Sequence, residues 1–172
     1  EKNNRVARNI LTGLANHSLP EAREVLVRAT QREDSYLIPM AAYSSLGKHK
    51  SPENWELLLD GLKRDAWMDL IRTGCAMGIA HYQDARALNV LKQLLHPKNS
   101  NELRQNVLRS LEVGGKQMEG VRTLVELGLK DSYLNLQMDA VSFWAKLGMN
   151  ETFLLLKKSR LETEARCSSA PP

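Results

Sequence analysis

The sequence predicts an all-α fold, an α-solenoid of about five antiparallel helix pairs with a period of 32–33 residues. Three observations predict it. Val6, Ile38, Ile71, Leu103 and Leu136 form an apolar ladder spaced by 32, 33, 32 and 33 residues. Each rung continues four and eight residues on, through Ile10 and Leu14, Ala42 and Leu46, Cys75 and Ile79, Val107 and Leu111, and Ala140 and Trp144, which is one face of a helix. A second ladder, Leu26, Leu59, Leu91, Leu124 and Leu156, steps by 33, 32, 33 and 32 residues and continues through Ala29, Leu62, Leu94 and Leu127. It supplies a second helix per period. Strand signals are absent, and a helix pair of this size buries its apolar stripe only by stacking on neighbours.

In chain order, the first helix is expected around Val6 to Ala15, as the second half of a repeat. Helices are then expected over roughly 20–32, 36–47, 52–64, 67–80, 84–96, 101–113, 117–129, 133–147 and 150–162. Pro20 and the run Ser51-Pro52-Glu53 open helices, because a first-turn proline lacks only an N–H that has no helical partner. His96-Pro97, Gly114-Gly115 and Gly148 close them. Tyr36, Trp67 and Tyr133 recur two residues after Asp34, Asp65 and Asp131. That recurrence predicts aspartates capping the following helices and rings plugging the space between stacked turns.

Length fits one domain, expected over residues 1–166 with a frayed tail over 167–172. The chain begins at Glu1, almost within the first helix, and is expected to be an excised piece of a longer protein. Its net charge of +4 is spread among acids, and the longest basic cluster is Lys157-Lys158-Ser159-Arg160. Nucleic-acid binding calls for a basic face with interleaved aromatics, so a nucleic-acid partner is disfavoured. The two cysteines, Cys75 and Cys167, argue against a disulfide framework and for a reducing, cytoplasmic setting. No stretch has the length of a membrane span.

The blocks DSYLIPMAAYSSLG (34–47), DAWMDLIRTGCAMGIA (65–80), NELRQNVLRSL (101–111) and DSYLNLQMDAVSFWAKLG (131–148) resemble HEAT repeats. In that family an Asp in the turn precedes Val-Arg, a small-residue pair and a closing Leu-Gly. Ile71-Arg72 and Leu103-Arg104 match the Val-Arg step, whereas Ile38-Pro39 and Leu136-Gln137 depart from it. The resemblance spans nearly the whole chain and implies a scaffold, not a chemistry. The segment from Asp65 to Leu95, with YQDARALNVLKQLL, also looks like the C-terminal helical array of bacterial gluzincin-type zinc aminopeptidases. That likeness implies a parent catalytic domain carrying His-Glu-x-x-His, which this chain lacks.

Chemistry is sought without success. His17, His49, His81 and His96 are isolated, with no i, i+4 pair to hold a metal, and no phosphate loop or nucleophile elbow occurs. Cys75 sits on a rung equivalent to Ala42 and Val107, so it reads as a buried small hydrophobe. No catalytic residue, metal or cofactor is expected. The informative surface is the inner face, at two, six and nine residues past each rung of the first ladder, positions that point away from the core. They are Arg8, Thr12, Ala15; Met40, Ser44, Gly47; Thr73, Met77, Ala80; Gln105, Arg109, Glu112; and Met138, Ser142, Ala145. Only Arg8, Arg109 and Glu112 are charged, while the outer helices are charge-rich. Crowding on a concave side explains the small residues, but Met40, Met77 and Met138 suit adaptable docking. The expected function is a non-catalytic helical-repeat scaffold that docks a protein partner, or a parent catalytic domain, through Met40, Thr73, Met77, Gln105, Arg109, Glu112 and Met138. The alternative is the C-terminal domain of a zinc aminopeptidase, bracing or gating its catalytic domain.

Overall fold

A computed structural model describes residues 2–17 and 19–148. Among them are nine α-helices: α1 (Lys2–Leu14), α2 (Pro20–Thr30), α3 (Leu37–Lys48), α4 (Pro52–Gly61), α5 (Leu70–Ala80), α6 (Ala85–Leu94), α7 (Asn101–Gly114), α8 (Val121–Leu129) and α9 (Leu134–Lys146). No strand occurs among the described residues. The expected helix 150–162, the rung Leu156, the basic cluster and the tail lie outside the described residues.

Helices touch only their neighbours in the array, which defines a solenoid. The odd-numbered helices form an inner layer, each packed on the next, and α2, α4, α6 and α8 form an outer layer, each packed on the inner helix that follows it. The inner layer is tight, most of all between α3 and α5, whereas in the outer layer the backbones of α2 and α4, and of α4 and α6, stand apart and are joined through side chains, Arg23 donating to Asn54 Oδ1 at 2.8 Å and the Arg86 guanidinium lying over the Trp55 ring. Closely spaced inner helices with splayed outer ones curve the array, so its concave side is the inner one. The chain is thus an all-α, HEAT-like solenoid.

The rungs Ile38, Ile71, Leu103 and Leu136 are all buried at 2% exposure or less, together with their continuations from Ala42 to Trp144. Val6 and Ile10, by contrast, are 58% and 57% exposed. They correspond to Ile38 and Ala42, which α1 itself helps to cover, and no described helix precedes α1 to cover them. Leu11 and Ala15 face the core instead. In the outer layer, Leu58 takes the rung expected of Leu59, and Val125 and Gly128 are buried where Leu127 was expected. Outer helices need cover on one side only, which leaves their register freer.

Several helix ends differ from expectation for local reasons. Ser51, Asp84 and Ser100 cap α4, α6 and α7, accepting from the N–H groups of Asn54 (3.2 Å), Ala87 (2.8 Å) and Leu103 (3.2 Å). Of the three expected aspartate caps, none binds a first-turn N–H of its helix; Asp131 comes nearest, accepting at 2.8 Å from the N–H of Tyr133, the residue before α9. Asp34 is bound instead by the Arg32 guanidinium. The segment expected as one helix over 67–80 is a single 3-10 turn, Trp67–Asp69, followed by α5. Met68 and Asp69 both adopt left-handed backbone there, at φ 52° and 54°. Asp69 is held by Arg72 at 3.0 Å and by the Ser100 hydroxyl. This turn throws Trp67 outward to 66% exposure, and Tyr36 is also exposed, so neither ring plugs the turns; Tyr133 alone of the three packs against the core.

Repeats are also tied by polar side chains. Arg104, buried in α7, makes a bidentate pair with Asp131 of the next turn (2.7 and 2.9 Å) and donates to the Asn99 carbonyl at 2.7 Å. Arg72, at the equivalent place one repeat earlier, reaches Asn99 Oδ1 at 3.1 Å. Where Pro39 stands in place of such an arginine, Arg64 donates to the Thr30 carbonyl at 2.6 Å.

Candidate functional site

A groove of about 260 Å3 runs across the inner layer, and four helices build it. Arg8 and Thr12 come from α1, Met40, Ser44 and Lys48 from α3, Met77 from α5, and Ser110 and Val113 from α7, with His81 at the end of α5. Its walls are close because α3 and α5 meet backbone to backbone. A Cβ added to Gly47 would lie 2.1 Å from the Gly78 carbonyl oxygen, and one added to Gly74 would lie 2.4 Å from that of Met40. Only glycine permits this approach.

That contact explains where the expected surface residues fall. Ala15, Gly47, Thr73 and Ala80 are buried, because the side of each inner helix at about 180–200° from the rung turns towards the next inner helix. Thr73, at 5% exposure, faces α7, where Asn106 donates to its hydroxyl at 3.4 Å. Met40 and Met77 line the groove, half-buried. Gln105, Arg109 and Glu112 lie beyond it, joined to α9: Gln105 and Arg109 both donate to Asp139 (2.8 and 2.9 Å), and Lys146 pairs with Glu112. Met138 is 62% exposed at the far side of α9, outside the groove.

Lys48, His81 and Val113 line the groove without having been singled out in the sequence. All three stand ten residues past a rung, at about 280° on the helical wheel. The sequence showed only that two basic side chains and an apolar one share a register; that Val113 is 75% exposed there follows from the packing. The exposed face is rotated by the inner-helix contact, and nothing in a single helix's pattern reports that rotation.

Burial holds the His81 imidazole below its ordinary pKa, and the neighbouring positive charges of Lys48 and Lys50 lower it further. Burial pushes the Cys75 thiol far up, and Arg64 and Arg72 offset only part of this, so Cys75 is a packed hydrophobe in the rung it was assigned. No group of three or more His, Cys, Asp or Glu able to hold a metal occurs among the described residues. No helix among them is long and apolar enough to cross a membrane. The site can therefore offer an apolar floor, hydroxyls and flanking cations.

A stacked array of antiparallel helix pairs is the architecture expected from the sequence blocks. Residues 1–80 match HEAT repeats. The match covers α1 to α5, and thus the α1, α3 and α5 walls of the groove. No curated protein matches the chain. HEAT repeats commonly mediate protein interactions, and the groove described above lies on the inner side of this HEAT-like array.

Proposed function

We propose that this chain is a protein-docking module and that the inner groove between α1 and α7 is where the partner sits. The observation that carries the reading is the groove's composition: Met40, Met77 and Val113 form an adaptable apolar floor, flanked on the groove wall by Arg8 and Lys48. Small residues such as Gly47 and Ala80 are accounted for by helix approach, but that approach does not require methionines. Thr73 drops out of the docking set because it is covered, and Gln105, Arg109 and Glu112 serve to fasten α7 to α9.

Photo-cross-linking tests this. A photoreactive residue placed at Val113 or Met77 should give a discrete adduct with the partner or parent domain, and Met40→Glu should abolish it in protein that remains helical by circular dichroism. A reactive residue at Arg122, on outer helix α8, should give none. Adducts formed from Arg122 and not from the groove would place docking on the outer layer and end the proposal.

A further inference from the structure

Carboxylates are missing from three consecutive inner helices. Neither α1, α3 nor α5 carries an Asp or Glu, whereas α1, α3 and the loop after α3 carry Arg5, Arg8, Lys48 and Lys50. None of these four cations forms an ion pair among the described residues. The acids of the same stretch lie on the outer helices and in the turns, as with Glu24 on α2 and Glu56 on α4. Further along, the inner helices carry Glu102, exposed at the start of α7, and Asp139 and Glu112, which are paired with Arg109 and Lys146.

Arg8 and Lys48 stand on the groove wall beside its methionine floor. The depressed basicity of His81 agrees with this: apart from burial, the charges acting on it are both positive, Lys48 and Lys50. We infer that the groove binds an acidic peptide segment of a protein partner, seating an apolar side chain on Met40, Met77 and Val113 while flanking Asp or Glu carboxylates meet Arg8 and Lys48. This rests on the docking reading and narrows it to one kind of partner. Unpaired cations facing one way favour carboxylates. A phosphate backbone is the weaker fit, since the groove has no aromatic ring on which a base could stack and few cations along it. A small molecule is also a weaker fit, because about 260 Å3 is below the roughly 300–1,000 Å3 of pockets that enclose one.

The test is selection from a phage-displayed library of random linear peptides on the whole chain, followed by affinity measurement with a labelled selected peptide. Selected sequences should be enriched in Asp and Glu around a Leu, Met or Phe. The double change Arg8→Glu with Lys48→Glu should weaken binding at least about tenfold. Replacing the peptide's acids by lysine should restore binding to that variant. Val113→Glu, at an exposed position where folding is not at stake, should also weaken it. Neutral or basic peptides that still lose binding with Val113→Glu would overturn the acidic partner and leave groove docking standing. Failure to select any peptide, or peptides indifferent to all three changes, would overturn both. Poly(dT) binding more tightly than any peptide, with steep salt dependence and loss on Arg8→Glu, would overturn the inference in favour of a phosphate backbone.

Discussion

Gly47 and Gly13 both lie near the end of an inner helix, yet their surroundings assign them opposite roles. At Gly47 a methyl group would fall 2.1 Å from one backbone oxygen and 2.2 Å from a backbone Cα of Gly78, atoms that cannot rotate aside. Gly47→Ala is therefore expected to destabilise the protein by about 1–3 kcal/mol or more, since overpacking forces the two helices apart. At Gly13 nothing lies within 4 Å of the added carbon. Gly13→Ala should stabilise by about 0.5–1 kcal/mol, through helix propensity and a less flexible unfolded chain. Urea unfolding of the two variants checks both signs, and a neutral Gly47→Ala would contradict the backbone-to-backbone contact. The closing Leu-Gly was legible in the sequence as a repeat feature. Its use as a contact surface was not, because that depends on which helix comes against it.

At the level of elements, the polar ties between repeats set a pH dependence. Burial pushes the Asp131 carboxyl up, but the hydrogen bond from Arg104, the Tyr133 N–H and the Arg104 charge outweigh this and hold it below the usual carboxylate range. A depressed folded-state pKa means the contribution is complete above the unfolded value of about 3.9 and is lost as pH falls through the lower folded value. Stability should accordingly decline below about pH 4. Asp131→Asn should cost about 3–5 kcal/mol at neutral pH, because it leaves the buried Arg104 charge without a counterion. The decline below pH 4 should be shallower in that variant. Equal acid sensitivity in wild type and Asp131→Asn would show that other carboxylates carry it.

The same elements explain what the sequence pattern could and could not convey. Inner rungs from Ile38 to Leu136 repeat in both register and burial because each of these helices packs on the inner helix before it and on outer helices. The Asp34 and Asp65 positions looked equivalent to Asp131 but are not: of the three, only Asp131 is placed to accept a backbone N–H of the following turn, which it does while also holding Arg104. Arg32 holds Asp34, while Ser51, Asp84 and Ser100 serve as caps at the starts of α4, α6 and α7. For the candidate site, Met40 and Met77 were legible from their lack of charge, whereas Lys48, His81 and Val113 were hidden by a rotation of the face that only packing sets.

Across the whole molecule, the backbone contact between α3 and α5 has a consequence for how stability is distributed. With Gly47, Gly74 and Gly78 at that contact, little side-chain volume joins the layers on either side of it. The buried side chains fall into two clusters. A small one, centred on Leu11, Leu26, Ile38 and Leu46, holds α1 to α3, and a much larger one runs from Tyr43 and Leu58 to Trp144. Val6 and Ile10, on the helix α1 that this smaller cluster holds, are exposed among the described residues. In an array whose stability is a sum of repeats and neighbour interfaces, the layer with the smaller core opens first. Native-state hydrogen exchange should therefore show the amides of α1 and α2 exchanging through a lower-energy opening than those of α5 and α7, with α3 intermediate. An acidic peptide bound between α1 and α7 would bridge both clusters, so it should raise protection in α1 and α2 more than in α5. Uniform protection along the free chain would mean that the α3–α5 contact transmits cooperativity as well as a side-chain core does, and that the array opens as one unit.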